Sequence, residues 1–176
     1  MSPPVPRVTL ERSEALAPDV PCPYCGKAAR LSLSSARLHG GKEYGPVWLC
    51  EPCGAWVGCH PDGSPLGRLA DRALRRAKMA AHGAFDPMWK AKARKEGIPQ
   101  KEARAAGYAW LARELGVRRA DCHIGMFDLA MCNRVVALCL RAREMAATRA
   151  DMRAKGIATP QRAGMPPLPG NGGAAT

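Results

Sequence analysis

The sequence predicts an α+β fold, a small β-rich ribbon followed by a helical region of about four helices. Three observations carry that expectation. Two paired cysteines, Cys22-Pro-Tyr-Cys25 and Cys50-Glu-Pro-Cys53, are separated by 24 residues. Short stretches beside them alternate apolar and polar side chains with period two. Beyond residue 70 the apolar residues recur at helical spacing.

Residues 1–20 show no period and contain Pro3, Pro4, Pro6 and Pro18, so they are expected to form a mobile arm. Residues 21–66 form the ribbon. Each CxxC presents two thiolates from one tight turn, and Gly26 and Gly54 follow the turns where a positive φ is often needed. Ala29–Leu33 alternates, and Gly40-Gly41 signals a turn. Val47–Cys50 and Ala55–Gly58 read as two short strands flanking the second cysteine pair.

The helical region covers 67–156. Asp71 is an N-cap for a helix over about 72–84, with Leu74, Ala77, Ala81 and Phe85 on its inner face and Arg72, Arg75 and Arg76 opposite. Asp86-Pro87 looks like the start of a second helix reaching about Lys95. A third runs from near Pro99 to Leu115, with Ala103, Ala106, Trp110 and Leu111 inward and Gly116 as its stop. Asp128 caps a last helix whose inner face is Leu129, Cys132, Val135, Val136, Cys139 and Leu140, leaving 141–156 as an exposed basic extension. Residues 157–176 are Pro/Gly-rich and are expected to stay disordered.

Four thiolates from two turns make the soft tetrahedral ligand set of Zn²⁺. Cys22, Cys25, Cys50 and Cys53 are therefore expected to hold one structural zinc per chain. A four-thiolate site is coordinatively closed and has no position for a catalytic water. Cys59-His60 is an alternative source of one ligand. Together with Cys122-His123 it also offers a second zinc site, but adjacent side chains diverge and seldom chelate one ion. Cys132 and Cys139, seven apart on one helical face, read as core. A nuclease-like site built on His60, His82 or His123 is a further alternative, weakened by the absence of paired carboxylates in the sequence around them. The chain is expected not to be an enzyme.

The net charge is +12. Residues 67–119 hold fourteen basic and five acidic side chains, so most of the excess follows the ribbon. Such a concentration favours a polyanion. The expected nucleic-acid contacts are Arg72, Arg75, Arg76, Lys78, Lys90, Lys92 and Arg94, which would neutralise phosphates without reading sequence. Tyr44, Trp48 and Trp56 are candidates for stacking on bases, with core packing the preferred reading of Trp48. No run of about 18 apolar residues spans a membrane. The N-terminus lacks a signal-peptide h-region, which points to the cytoplasm.

The ordered set CPYCG (22–26), YGPVWLCEPCGAWVGCH (44–60), PLGRLAD (65–71), AAHGAFDPMWK (80–90), YAWLARELG (108–116) and CHIGMFD (122–128) resembles a zinc-finger-containing domain family found in phages and prophages, of unassigned function. The resemblance covers about residues 21–140. It implies a zinc module with a helical region, in a bacterial host cell, and it implies no reaction. The expected function is a structural-zinc protein that binds DNA or RNA through a basic helix. The alternative is a phage-encoded modulator that docks on a host nucleic-acid machine or defence complex.

Overall fold

The computed structural model describes residues 19–157. The expected N-terminal arm and Pro/Gly-rich tail lie almost wholly outside those residues. The described chain divides into two compact units, one ending at Leu140 and the other beginning at Arg141.

Three strands form one antiparallel sheet in the order β1 (Arg30–Ser32), β2 (Val47–Cys50), β3 (Ala55–Gly58). Leu31 pairs with Trp48, which pairs with Val57. Trp48 is buried beneath the ribbon and donates its Nε1–H to the Gly63 carbonyl at 2.9 Å. The β2–β3 connection is the second cysteine turn. Thus both strands expected beside it form where the alternation placed them. The small ribbon core contains Val20, Ala29, Trp48, Ala55 and Leu69, together with Cys22 and Cys50.

The long loop from β1 to β2 is organised by one carboxylate. Glu43 Oε1 accepts from the backbone N–H of Ser35 (2.9 Å) and Gly45 (2.8 Å), and its Oε2 accepts from the Ser34 hydroxyl. Together these bonds hold the carboxyl at about 2, with the Ser34 hydroxyl as the largest cause.

The described residues contain three long helices: α1 (Arg72–Glu96), α2 (Gln100–Leu115) and α3 (Leu129–Ala154). The expected break at Asp86-Pro87 does not occur, which is why there are three helices rather than about four. Pro87 lies inside α1. A proline there forfeits one backbone hydrogen bond. However, Leu74, Ala77, Ala81, Ala84, Phe85, Trp89 and Ala93 form one buried stripe through it, and burial of that stripe outweighs the loss. Asp86, expected as a cap, instead accepts from Trp89 Nε1 at 3.1 Å. Asp71 does cap α1, accepting from Leu74 N at 2.7 Å, and Asp128 caps α3 by accepting from Met131 N at 2.8 Å.

Gly97, at φ +67°, closes α1 and turns the chain into α2. Phe85 and Tyr108 meet edge to face, 4.9 Å between centroids. In α2 the buried positions are Ala103, Tyr108, Leu111, Ala112 and Leu115, and Ala106 is exposed, one step off the stripe that α1 covers. On α3, Cys132, Val135 and Cys139 are buried, while Leu129 and Leu140 are exposed. At helical spacing both leucines fall on the same side of the stripe that Cys132, Val135 and Cys139 set.

Ribbon and helices meet within the first unit along a polar seam. Trp56 and Ala70 exchange backbone hydrogen bonds at 3.1 Å. Gly67 packs on the 124–126 turn so closely that a Cβ there would stand 2.5 Å from the Gly125 oxygen. That same oxygen accepts from Arg68 N at 3.1 Å and from Lys78 Nζ at 2.7 Å.

Candidate metal centre

Each cysteine pair is presented by a local turn. In the first, Gly26 N–H donates to the Cys22 carbonyl at 2.8 Å and Cys22 N–H to the Lys27 carbonyl at 2.8 Å. Gly26 takes φ +71°, and Gly54 in the second turn takes φ +59°. Both values lie where a side chain is strained, so glycine is the residue that lets each turn close. The Pro21–Ala28 bridge brings the first turn into position, and the β2–β3 hairpin carries the second.

Cys22, Cys25, Cys50 and Cys53 converge, with all four sulfurs within 4.8 Å of one another. The Cys25 and Cys50 sulfurs are 3.6 Å apart. Sulfurs on a tetrahedral zinc at about 2.3 Å stand about 3.8 Å apart, so the donor set fits one Zn²⁺ in both chemistry and spacing. Cys22 and Cys50 are buried, while Cys25 is exposed and Cys53 half-buried. The thiols are unequal. The Lys27 backbone N–H, with the neighbouring thiols, draws Cys25 down to about 7, whereas Cys25 beside it pushes Cys53 up to about 12.

Among the described residues no other group of three or more His, Cys, Asp or Glu side chains could hold a metal. Cys59 packs half-buried against the ribbon core, and His60 is exposed in the turn that follows. Cys122, Cys132 and Cys139 are buried in the helical core, as expected for the last two. His82 Nδ1 lies 3.4 Å from Asp86 Oδ1 one helical turn away, and His123 stands exposed beside the Tyr108 ring.

The basic residues singled out from the sequence fall into two groups. Arg75 and Lys78 are engaged with the fold. The Arg75 guanidinium lies 4.7 Å over the Trp56 ring and donates to the Ala70 carbonyl at 2.6 Å. Lys78 donates to the carbonyls of Arg68 (2.9 Å) and Gly125 (2.7 Å), and burial pushes its ammonium pKa down. Arg72, Arg76, Lys90, Lys92 and Arg94 are exposed. Of these only Lys92 has a carboxylate partner among the described residues, Glu96 at 2.6 Å. Tyr44 is exposed, Trp56 is covered by Arg75 and His39, and Trp48 is buried in the ribbon.

Two contributors escaped sequence reasoning. Tyr24, between the first two cysteines, accepts a hydrogen bond at its hydroxyl from Asp71 N (3.0 Å), tying the metal turn to the start of α1. Glu43 fastens the β1–β2 loop. Neither has a local signal, because both partners are distant or are backbone atoms.

The model of a family described as a zinc-finger-containing domain matches residues 19–142, and the chain belongs to that family. No curated protein and no solved structure matches it.

Proposed function

Starting from a zinc-finger-containing domain with a closed four-thiolate site, we propose a nucleic-acid-binding protein of phage or prophage origin. It acts in the bacterial cytoplasm and grips the phosphate backbone through the exposed side of α1. Zinc holds the ribbon and takes no part in a reaction. The observation that carries this reading is a line of unpaired cations. Arg72 and Lys90 are eighteen residues apart, which is five full helical turns, and Arg76 and Arg94 repeat the same interval. All four therefore lie along one edge of the helix, spread over about 27 Å plus one turn. Gly83 and Pro87 lie on the same edge, as does the exposed Met79. None of the four pairs with a carboxylate among the described residues. Their charge is thus available to phosphates.

The test is a variant with Arg72→Ala, Arg76→Ala and Arg94→Ala, leaving the structural Arg75 and Lys78 in place. Affinity should fall alike on unrelated sequences. The slope of log K against log salt should flatten by roughly one unit per lost contact on duplex DNA. Unchanged zinc content would show that the fold survives. Wild-type protein that binds neither DNA nor RNA at low salt sinks the proposal. It would then favour a modulator docking on a host machine, for which the exposed Leu66 and Met126, beside the Gly67–Gly125 contact, offer an apolar foothold.

A further inference from the structure

A cleft of about 430 Å³ opens between the end of α1, the start of α2 and the turn at 119–123. Trp89, Lys101, Arg104, Tyr108, Arg119 and His123 line it, and no acidic side chain does. The volume lies within the range of small-ligand sites and well exceeds a lone phosphate ion.

The Arg104 and Arg119 guanidiniums stand 5.6 and 5.2 Å from the centre of the same Tyr108 ring. Neither has an ion-pair partner among the described residues. Two like charges gathered on one ring repel, and an anion between them converts that repulsion into attraction. Tyr108 itself is only 4% exposed, and its hydroxyl has no hydrogen-bond partner among the described residues. That oxygen is not one of the sealed, unpartnered polar atoms, of which Arg68 Nε is the sole case among the described residues, and Tyr108 lines the cleft. The start of α2 adds a third element. Its N-cap position is Pro99, which supplies no side-chain cap, and Gln100 and Lys101 at its first turn line the cleft. The first N–H groups of a helix lack partners within it and favour an anion.

We propose that this cleft binds a nucleotide. The phosphate is held by Arg104, Arg119 and the uncapped first turn of α2, with the Tyr108 hydroxyl as a further donor. The base lies against the guanidinium planes and the Trp89 and His123 rings, the surfaces on which bases stack in single-strand recognition. The site is distinct from the cationic line on α1 and does not depend on it. The nucleotide is either free or one unit of a single strand.

The full-length, zinc-loaded protein is titrated by calorimetry with adenosine monophosphate, thymidine monophosphate, sodium phosphate alone and a short oligothymidylate. A mononucleotide should bind at least about tenfold more tightly than phosphate. Arg104→Gln and Arg119→Gln, both at exposed positions, should each weaken it by about tenfold, as for loss of a charge-assisted hydrogen bond. Tyr108→Phe keeps the ring and should cost a smaller factor. The Arg72→Ala, Arg76→Ala, Arg94→Ala variant should bind the mononucleotide as wild type does, which separates this site from the α1 reading. Mononucleotide binding that the oligomer cannot match assigns a free nucleotide. Oligomer binding that is lost in Arg104→Gln assigns a strand. Phosphate binding as tightly as the nucleotides, unchanged affinity in both arginine variants, or no binding by the wild type overturns the proposal.

Discussion

The ribbon and the helices of the first unit bury different things. In the ribbon core two buried side chains are Cys22 and Cys50, the metal ligands themselves, and Trp48 is the one large ring. The helical core buries Phe85, Trp89, Tyr108, Leu111, Ile124 and Val135, with no metal group among them. A core of the second kind is stabilised by removing apolar surface from water. A core of the first kind is too small for that and depends on the metal to close its turns. Between the two runs a seam of backbone and polar contacts: Trp56 with Ala70 and Tyr24 with Asp71. The comparison therefore poses a physical question, whether that seam makes two differently built halves unfold as one.

Zinc removal is the largest perturbation, since structural zinc contributes about 10–16 kcal/mol of apparent binding free energy in small zinc modules. Chelation should expose Trp48, seen as a red shift in fluorescence, while most helical circular dichroism survives. Loss of both signals at one chelator concentration would break the comparison and make the seam the dominant fact. The converse change is Leu111→Ala. It should cost about 2–5 kcal/mol by opening a cavity at a fully buried site, read as a lower urea midpoint. Zinc stoichiometry should stay at one per chain in the folded variant, and a variant that folds but loses zinc would show that the helices support the metal turns.

The smallest effect sharpens the ribbon half alone. Glu43 binds its proton more weakly in the folded loop than in the unfolded chain, with its pKa lowered to about 2 from 4.5. Its contribution is present in full above about pH 4.5 and is lost as pH falls toward about 2. Glu43→Gln should therefore lower the urea midpoint near neutrality, and the gap to wild type should narrow below about pH 4.5. A gap that stays constant through that range would mean the carboxylate does not organise the loop.

The strands were legible because their determinants are local. Val47–Cys50 and Ala55–Gly58 carry period-two patterns around a cysteine turn, and the chain forms them at those limits. The metal ligands were legible for the same reason, each pair being held by its own turn. The helix break at Asp86-Pro87 was misread because a strong local signal competed with a longer one, the apolar stripe from Leu74 to Ala93. Ala106 was placed inward on a spacing that α1 does not use, and Tyr108 takes the buried place. Arg75 and Lys78 look in sequence like their neighbours Arg72 and Arg76. Only Trp56, Ala70 and Gly125, brought in from other segments, separate a cation that fastens the fold from one that faces water.

The approach of Gly67 to Gly125 also bears on descent. A methyl group at 67 would meet the carbonyl oxygen that Arg68 and Lys78 both use, so a lineage cannot exchange that glycine without rerouting the 124–126 turn. Position 67 is thereby tied to the course of a turn fifty-eight residues further along the chain. A chain of this fold with any side chain at 67 must therefore carry its 124–126 turn on a different path.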